Sequence, residues 1–253
     1  MRSTSRPGPP LPTPDIRQTL AAGTSLPRHL HGAAYIAVVL RGRYWEANAG
    51  GRSELAPGDV AVHGCCSAHS NRVGRGDALV LNLRWPHARL DAFGRIEDPD
   101  ALARAVECER AAGAAGASAR IEALVASMLA VPPATARDWP DLLAADLQRD
   151  PSLSLRRWAQ ARGLAPESVS RGFARAYGAT PRRVRFEQRT RRAVDLLLRS
   201  AMPLAEVALE AGFADQTGMT RAVRELTRAT PAAIRATSSG DKTQCGQGPT
   251  LRA

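Results

Sequence analysis

Two groups of residues have the types and spacing to do chemistry. The first is Gln216, Thr217, Thr220 and Arg221, preceded earlier in the chain by Glu167, Ser170, Arg171 and Arg175. Arg donates bidentately to guanine, Gln bonds to adenine, Glu accepts from cytosine N4, and a Thr methyl meets the thymine methyl. One such pair contributes ~1–3 kcal/mol of discrimination between bases. The second group is His29, His31 and His69, with Tyr35 close in sequence. Two histidines at i, i+2 on a strand share a face. A third from a neighbouring strand would complete a site for an organic ligand or, through neutral imidazoles, for Zn, Ni, Cu or Fe.

The elements that must position the first group are visible as an internal repeat. Ser170-Arg-Gly-Phe-Ala-Arg-Ala-Tyr-Gly-Ala-Thr-Pro-Arg-Arg-Val-Arg185 and Thr220-Arg-Ala-Val-Arg-Glu-Leu-Thr-Arg-Ala-Thr-Pro-Ala-Ala-Ile-Arg235 read as copies. Upstream, Gly163-Leu164-Ala165 answers Gly212-Phe213-Ala214. Each unit reads as helix, glycine turn, second helix and Thr-Pro stop, the outline of a helix-turn-helix present twice. Ser154 caps a helix over 155–162, and Pro166 and Asp215 start the second helices. Val169 and Phe173, like Met219 and Val223, are placed to face the core. A long helix from Pro181 to about Arg199 joins the units.

Charge agrees with this placement. The 253 residues carry a net charge of +11, and residues 151–236 hold 16 Arg against 7 acids. A basic surface over such a repeat is the footprint of a polyanion binder. Arg outnumbers Lys 34 to 1, so base composition of the genome accounts for part of the basicity.

The second group lies in a β-rich half. Tyr35–Leu40, Asp59–His63 and Ala78–Leu83 are short β-branched or apolar runs, separated by turn signals such as Pro57-Gly58-Asp59. A small barrel or sandwich is predicted over 15–95. From Ile96 the texture turns helical: Asp98-Pro99-Asp100 starts one helix and residues 119–129 form a second amphipathic stretch. Either would cover the barrel or pair with a second subunit. Residues 131–135 mark a boundary. Cys65 and Cys66 are expected to diverge along a strand as ordinary buried thiols, and no C-x-x-C pair occurs among the four Cys.

The constellation Gly23-x5-His29-Leu30-His31, then Gly42, Pro57-Gly58-Asp59 and His69, resembles a cupin barrel. In that family the first motif reads G-x5-H-x-H-x3,4-E-x6-G, and its His and Glu residues often hold a metal. Tyr35 sits where the Glu belongs, so no metal or other cofactor is expected, and His29, His31, Tyr35 and His69 are assigned to an effector pocket. The repeat resembles the AraC/XylS family of transcription regulators across about 140–236. Ala159, Gly163, Leu164, Pro166, Val169, Arg171, Phe173, Gly178, Thr180 and Pro181 answer the first part of the family pattern. Arg189, Ala193 and Leu197 answer the second part. Val207, Ala208, Gly212, Phe213, Asp215, Thr217, Arg221, Arg224, Thr230, Pro231 and Arg235 answer the third. The resemblance places base reading on Glu167, Ser170, Arg171, Gln216, Thr217 and Arg221. Met219 and Val223 replace the usual aromatics, Gly218 interrupts the second recognition helix, and Ala229 is taken to stand for the usual Gly.

The expected architecture is therefore two-domain α+β. A disordered tail (1–14) precedes the cupin-like β-barrel (15–95), followed by a helical segment and linker with a dimerisation role (96–137). An all-α domain with two helix-turn-helix units (138–236) and a disordered tail (237–253) complete the chain. The expected function is effector-controlled, sequence-specific binding of double-stranded DNA by a homodimer, with RNA polymerase as a further partner. No catalytic residues are assigned. The N-terminus lacks the apolar core of a signal peptide and no run is long enough to span a membrane, so a cytoplasmic location is expected. The alternative is a metal-dependent cupin enzyme with an accessory helical domain.

Overall fold

The computed structural model describes residues 16–85, 91–111, 138–150 and 152–240, with side chains to 236. The expected N-terminal tail, the amphipathic stretch 119–129, the boundary at 131–135 and Cys245 lie outside the described residues. Nine strands come first: β1 (Arg17–Leu20), β2 (Ser25–Leu30), β3 (Tyr35–Arg41), β4 (Tyr44–Asn48), β5 (Gly51–Leu55), β6 (Asp59–His63), β7 (Ala68–Val73), β8 (Ala78–Arg84) and β9 (Ala92–Arg95). They pair antiparallel into two sheets, ordered β1-β8-β3-β6-β9 and β2-β7-β4-β5.

β3 shows why its sequence is a continuous apolar run. Tyr35, Ala37 and Val39 point between the sheets, beside Tyr44, Leu55 and Val80. Ile36, Val38 and Leu40 point the other way and are covered by Leu102, Ala103 and Val106. Those three belong to α1 (Pro99–Ala111). A strand covered on both faces loses the polar alternation of a half-exposed one. The first predicted helix after Ile96 thus lies on the barrel.

The remaining helices are α2 (Trp139–Arg149), α3 (Leu155–Gln160), α4 (Pro166–Tyr177), α5 (Pro181–Arg199), α6 (Leu204–Glu210), α7 (Gln216–Thr227) and α8 (Pro231–Gly240). The last runs past residue 236, where the domain was expected to end. α3–α4 and α6–α7 are the two predicted units, and their turns are built alike. Leu164 N–H donates to Ala159 O at 2.9 Å, and Phe213 N–H to Ala208 O at 2.8 Å. The Thr-Pro pairs end one helix and begin the next. The Thr180 hydroxyl accepts from Arg183 N at 3.2 Å and Thr230 from Ala233 N at 3.1 Å, with Pro at the first helical turn. Val169, Phe173 and Tyr177 form one apolar centre with α2 and α3. Val207, Met219 and Val223 form the other with α5.

The second unit departs from the first at its cap, though not at Ala229. α4 closes on Gly178 at φ +67°, and the equivalent left-handed position after α7 is Arg228 at φ +61°. The two Thr-Pro pairs fix this register, which puts Arg228 opposite Gly178. A side chain in that region costs ~1–2 kcal/mol, offset in part by the ~0.5–1 kcal/mol of extra chain freedom that glycine loses on folding. Arg228→Gly is therefore expected to raise stability by about 0.5–1 kcal/mol in thermal unfolding; a lowered melting temperature would contradict the assignment. Gly218 does less harm than its position suggested. It lies in the first turn of α7, and its N–H is bound by the Asp215 carboxylate at 2.6 Å.

Candidate nucleic-acid interface and buried cavity

α4 and α7 each bury one face and present another. Glu167, Arg171 and Arg175 are exposed on α4, with Ser170 half-buried. Gln216, Thr217 and Arg221 are exposed on α7, with Thr220 half-buried. Ser170 and Thr220, like Arg171 and Arg221, occupy equivalent places in the two units. Among the described residues, neither Arg171 nor Arg221 makes an ion pair. Arg162, Arg183, Arg191, Arg192 and Arg199 are all paired with acids. α4 has no side-chain cap on its first turn, so its leading N–H groups remain open to an anion.

The second group of residues meets inside the barrel. A cavity of ≈ 280 Å³ lies between the sheets, and His29, His31, Tyr35 and His69 all line it. The expected set is thus brought together: His29 packs edge-on to His69 at 4.3 Å between ring centroids, and His31 edge-on to Tyr35 at 5.2 Å. His29 Nδ1 donates to Pro27 O at 2.9 Å. Two further residues were missed, Glu46 and His63. The signal for Glu46 was its alternation with Tyr44 and Asn48, which puts a carboxyl on the inner face of β4. His63 ends β6 beside Tyr35, ring on ring at 4.4 Å.

Burial sets the electrostatics of this interior. Desolvation pushes the Glu46 carboxyl up to about 8, against the hydrogen bond from Asn48. Desolvation lowers His63 to about 3 and His69 well below the ordinary range, and lowers His29 less. Burial, then Glu46 and Asp91, raises the Tyr35 phenol. His63 Nε2 stands 3.6 Å from Glu46 Oε1, but the cost of burying either charge leaves both neutral near pH 7. The carboxylate absent at position 35 is therefore supplied from another strand. Glu46, His63 and His69 offer three ligand atoms within 4.8 Å of one another, and so do His29, His31 and His69. These donors fit a first-row metal ion, in which case Glu46 and the imidazoles would hold it and a Lewis-acidic centre would face the cavity.

The strands carrying these residues also hold the helices. Along β2, His29 faces the cavity, while Arg28 and Leu30 turn outward. Arg28 donates through Nε and Nη2 to Glu187 of α5 at 3.1 and 2.9 Å. Along β7, His69 and Asn71 face the cavity, while Ala68 joins Leu30, Cys66 and Leu226 of α7 in one apolar cluster. A Cβ on Gly178 would meet Arg28 Cβ at 3.3 Å, so glycine there serves close approach as well as the left-handed turn. Glu187 also accepts from Arg183 at 2.9 Å, and Arg183 reaches Glu225 of α7 at 2.6 Å. Arg191 of α5 meets Asp91 through both guanidinium ends, at 2.9 and 3.2 Å. On β5, Arg52 holds Asp141 of α2 at 2.8 Å.

Cys65 and Cys66 do not diverge along a strand. They lie in the turn between β6 and β7, where Cys66 has φ +56°, and their Sγ atoms approach to 3.6 Å. Among the described residues, Cys65, Cys66 and Cys108 are in no disulfide.

A repeated helix-turn-helix with arginines outward defines a DNA-binding domain, and residues 158–237 match the family described as "Helix-turn-helix domain". Over that segment the chain carries a helix-turn-helix domain. No curated protein matches the chain. Among solved structures, it is similar to the C-terminal domain of AraT, a response regulator from Geobacillus stearothermophilus. That match has 22% identity over 39% of this chain and 84% of that one, with a TM-score of 0.36. An AraC-type transcriptional regulator from Chromobacterium violaceum matches at 22% identity, 39% and 89% coverage, and TM-score 0.36. ToxT from Vibrio cholerae matches at 7% identity, 89% and 100% coverage, and TM-score 0.42. Among the described residues, no helix is long and apolar enough to cross a membrane.

Proposed function

We propose that this chain is a transcriptional regulator of the AraC type that reads duplex DNA with both units and is switched by a small effector held in the histidine-lined cavity. One observation carries the switching. β2 presents His29 to the cavity while the residues on either side of it, Arg28 and Leu30, dock on α5 and α7. An occupant that shifts β2 or β7 moves the surface on which a recognition helix rests. It acts through differential affinity for docked and undocked states, as any such switch must.

Base edges are read by Glu167, Ser170 and Arg171 from α4 and by Gln216, Thr217 and Arg221 from α7. Arg175 and Thr220 serve the flanking backbone. With α4 and α7 in successive major grooves, their centres fall ~34 Å apart along the duplex. A homodimer through the barrel or the segment 96–137 would pair two such half-sites, in the cytoplasm and within reach of RNA polymerase. Catalysis has no part in this reading. A metal-dependent cupin enzyme would instead lose turnover when His29 or His31 is replaced.

The test is selection of bound sequences from a random duplex pool, with and without a small-molecule extract of cells. The expected outcome is a bipartite motif, an affinity that changes with extract, and loss of that change in His69→Gln with the motif intact. Affinity indifferent to extract, in a protein that still selects the motif, would count against the switch.

A further inference from the structure

We propose that the cavity binds a divalent transition-metal ion on Glu46, His63 and His69. This names the chemistry of the effector cavity, so its regulatory consequence rests on the reading above. Neither Glu46 nor His63 stands in the G-x5-H-x-H motif, and the site is defined by where β4, β6 and β7 bring their side chains.

Four observations converge. The three ligand atoms lie within 4.8 Å of one another, and all three residues are at most 2% exposed. His63 Nδ1, His63 Nε2 and His69 Nδ1 are buried with no hydrogen-bond partner. Buried polar atoms are almost always satisfied, and an orphaned cluster asks for an unplaced partner. Glu46 is already oriented, accepting from Asn48 at 2.8 Å and from the Tyr44 hydroxyl at 3.4 Å. Such outer contacts are what fix a ligating carboxylate. The fourth observation is His29, whose Nδ1–H is bound by Pro27 O. That bond leaves the Nε2 lone pair of His29 for the second triad, which shares His69.

The ligand set selects the ion. Two imidazoles and a carboxylate suit Zn, Co, Ni or Fe(II), whereas Ca and Mg prefer all-oxygen shells. The cavity exceeds one ion in volume, and the remainder leaves room for water or a chelating small molecule at the open coordination positions.

The experiment uses untagged, full-length protein stripped with chelator and titrated with Co2+, then displaced by Zn2+. One Co2+ per chain is expected, with visible absorption bands of a nitrogen- and oxygen-ligated ion. Glu46→Gln and His63→Ala should each weaken binding at least tenfold and change the bands. His69→Gln, checked by circular dichroism, guards against an unfolded His63 variant. No uptake at micromolar concentrations, or uptake indifferent to both Glu46→Gln and His63→Ala, overturns the proposal. Uptake by these residues with no change in affinity for pool-selected DNA sustains the site and overturns the effector reading. DNA affinity that responds to cell extract in a protein taking up no ion does the reverse.

Discussion

Replacing Asp91 by Asn is expected to lower the unfolding free energy by about 3–5 kcal/mol, the usual cost of removing one partner of a buried ion pair. The Asp91 side chain is fully buried and that of Arg191 is 15% exposed. Asp91 also accepts from Gly64 N at 3.0 Å and Ala49 N at 3.3 Å, so one carboxylate joins two turns of the barrel to α5. The Asn variant leaves a guanidinium buried without a counter-charge. Asp91→Leu combined with Arg191→Met should recover only part of the loss, because it removes the uncompensated charge but leaves the Gly64 and Ala49 N–H groups without their acceptor. Urea denaturation measures both, and a loss below about 1 kcal/mol for Asp91→Asn would refute the role given to the pair. The pH dependence has a definite sign. Burial alone would raise the Asp91 carboxyl, but Arg191 and the hydrogen bond from Gly64 N–H hold it below its ordinary value. Its contribution is complete above the unfolded aspartate value of about 4 and is lost as pH falls through the lower folded value.

Arg171→Ala and Arg221→Ala should each reduce discrimination at one base pair by ~1–3 kcal/mol. The relaxed position should differ between the two variants, since each arginine reads from its own helix. Arg175→Ala, by contrast, should weaken binding evenly across sequences and reduce the salt slope by about 1. Site selection on the random pool separates the two patterns. Unchanged preference in both Arg171 and Arg221 variants would remove the base-reading assignment, while leaving the domain a DNA binder.

The helical half was legible because its determinants are local. A turn bond from Leu164 to Ala159, a cap from Thr180 to Arg183 and an apolar stripe at i, i+4 all fall within one short window. The strands were legible for the same reason, and so were His29 and His31. Glu46 and His63 were not, because β4 and β6 meet the other histidines only through sheet pairing that no local pattern reveals. The contact between halves was equally hidden: Arg28 and Glu187 are 159 positions apart and Arg191 and Asp91 are 100 apart. Arg183, Glu187 and Arg191 lie on an Arg-rich helix, and each is committed to an ion pair. Cys65 and Cys66 were misplaced because a left-handed residue at Cys66 cannot be inferred from its type.

The strand β2 has a consequence for how such a protein can change. At His29 the strand serves two masters, the imidazole facing the cavity while Arg28 and Leu30 hold the helices that meet DNA. The irregularity between Leu26 and His29 brings Leu26, Pro27 and His29 all to the cavity, so the alternation begins only past it. Each substitution at His29 is made between two residues, Arg28 and Leu30, that anchor the reader. Families descended from such a chain should vary the cavity most freely on strands that do not carry the helices that meet DNA, such as β8 through Val80 and Asn82.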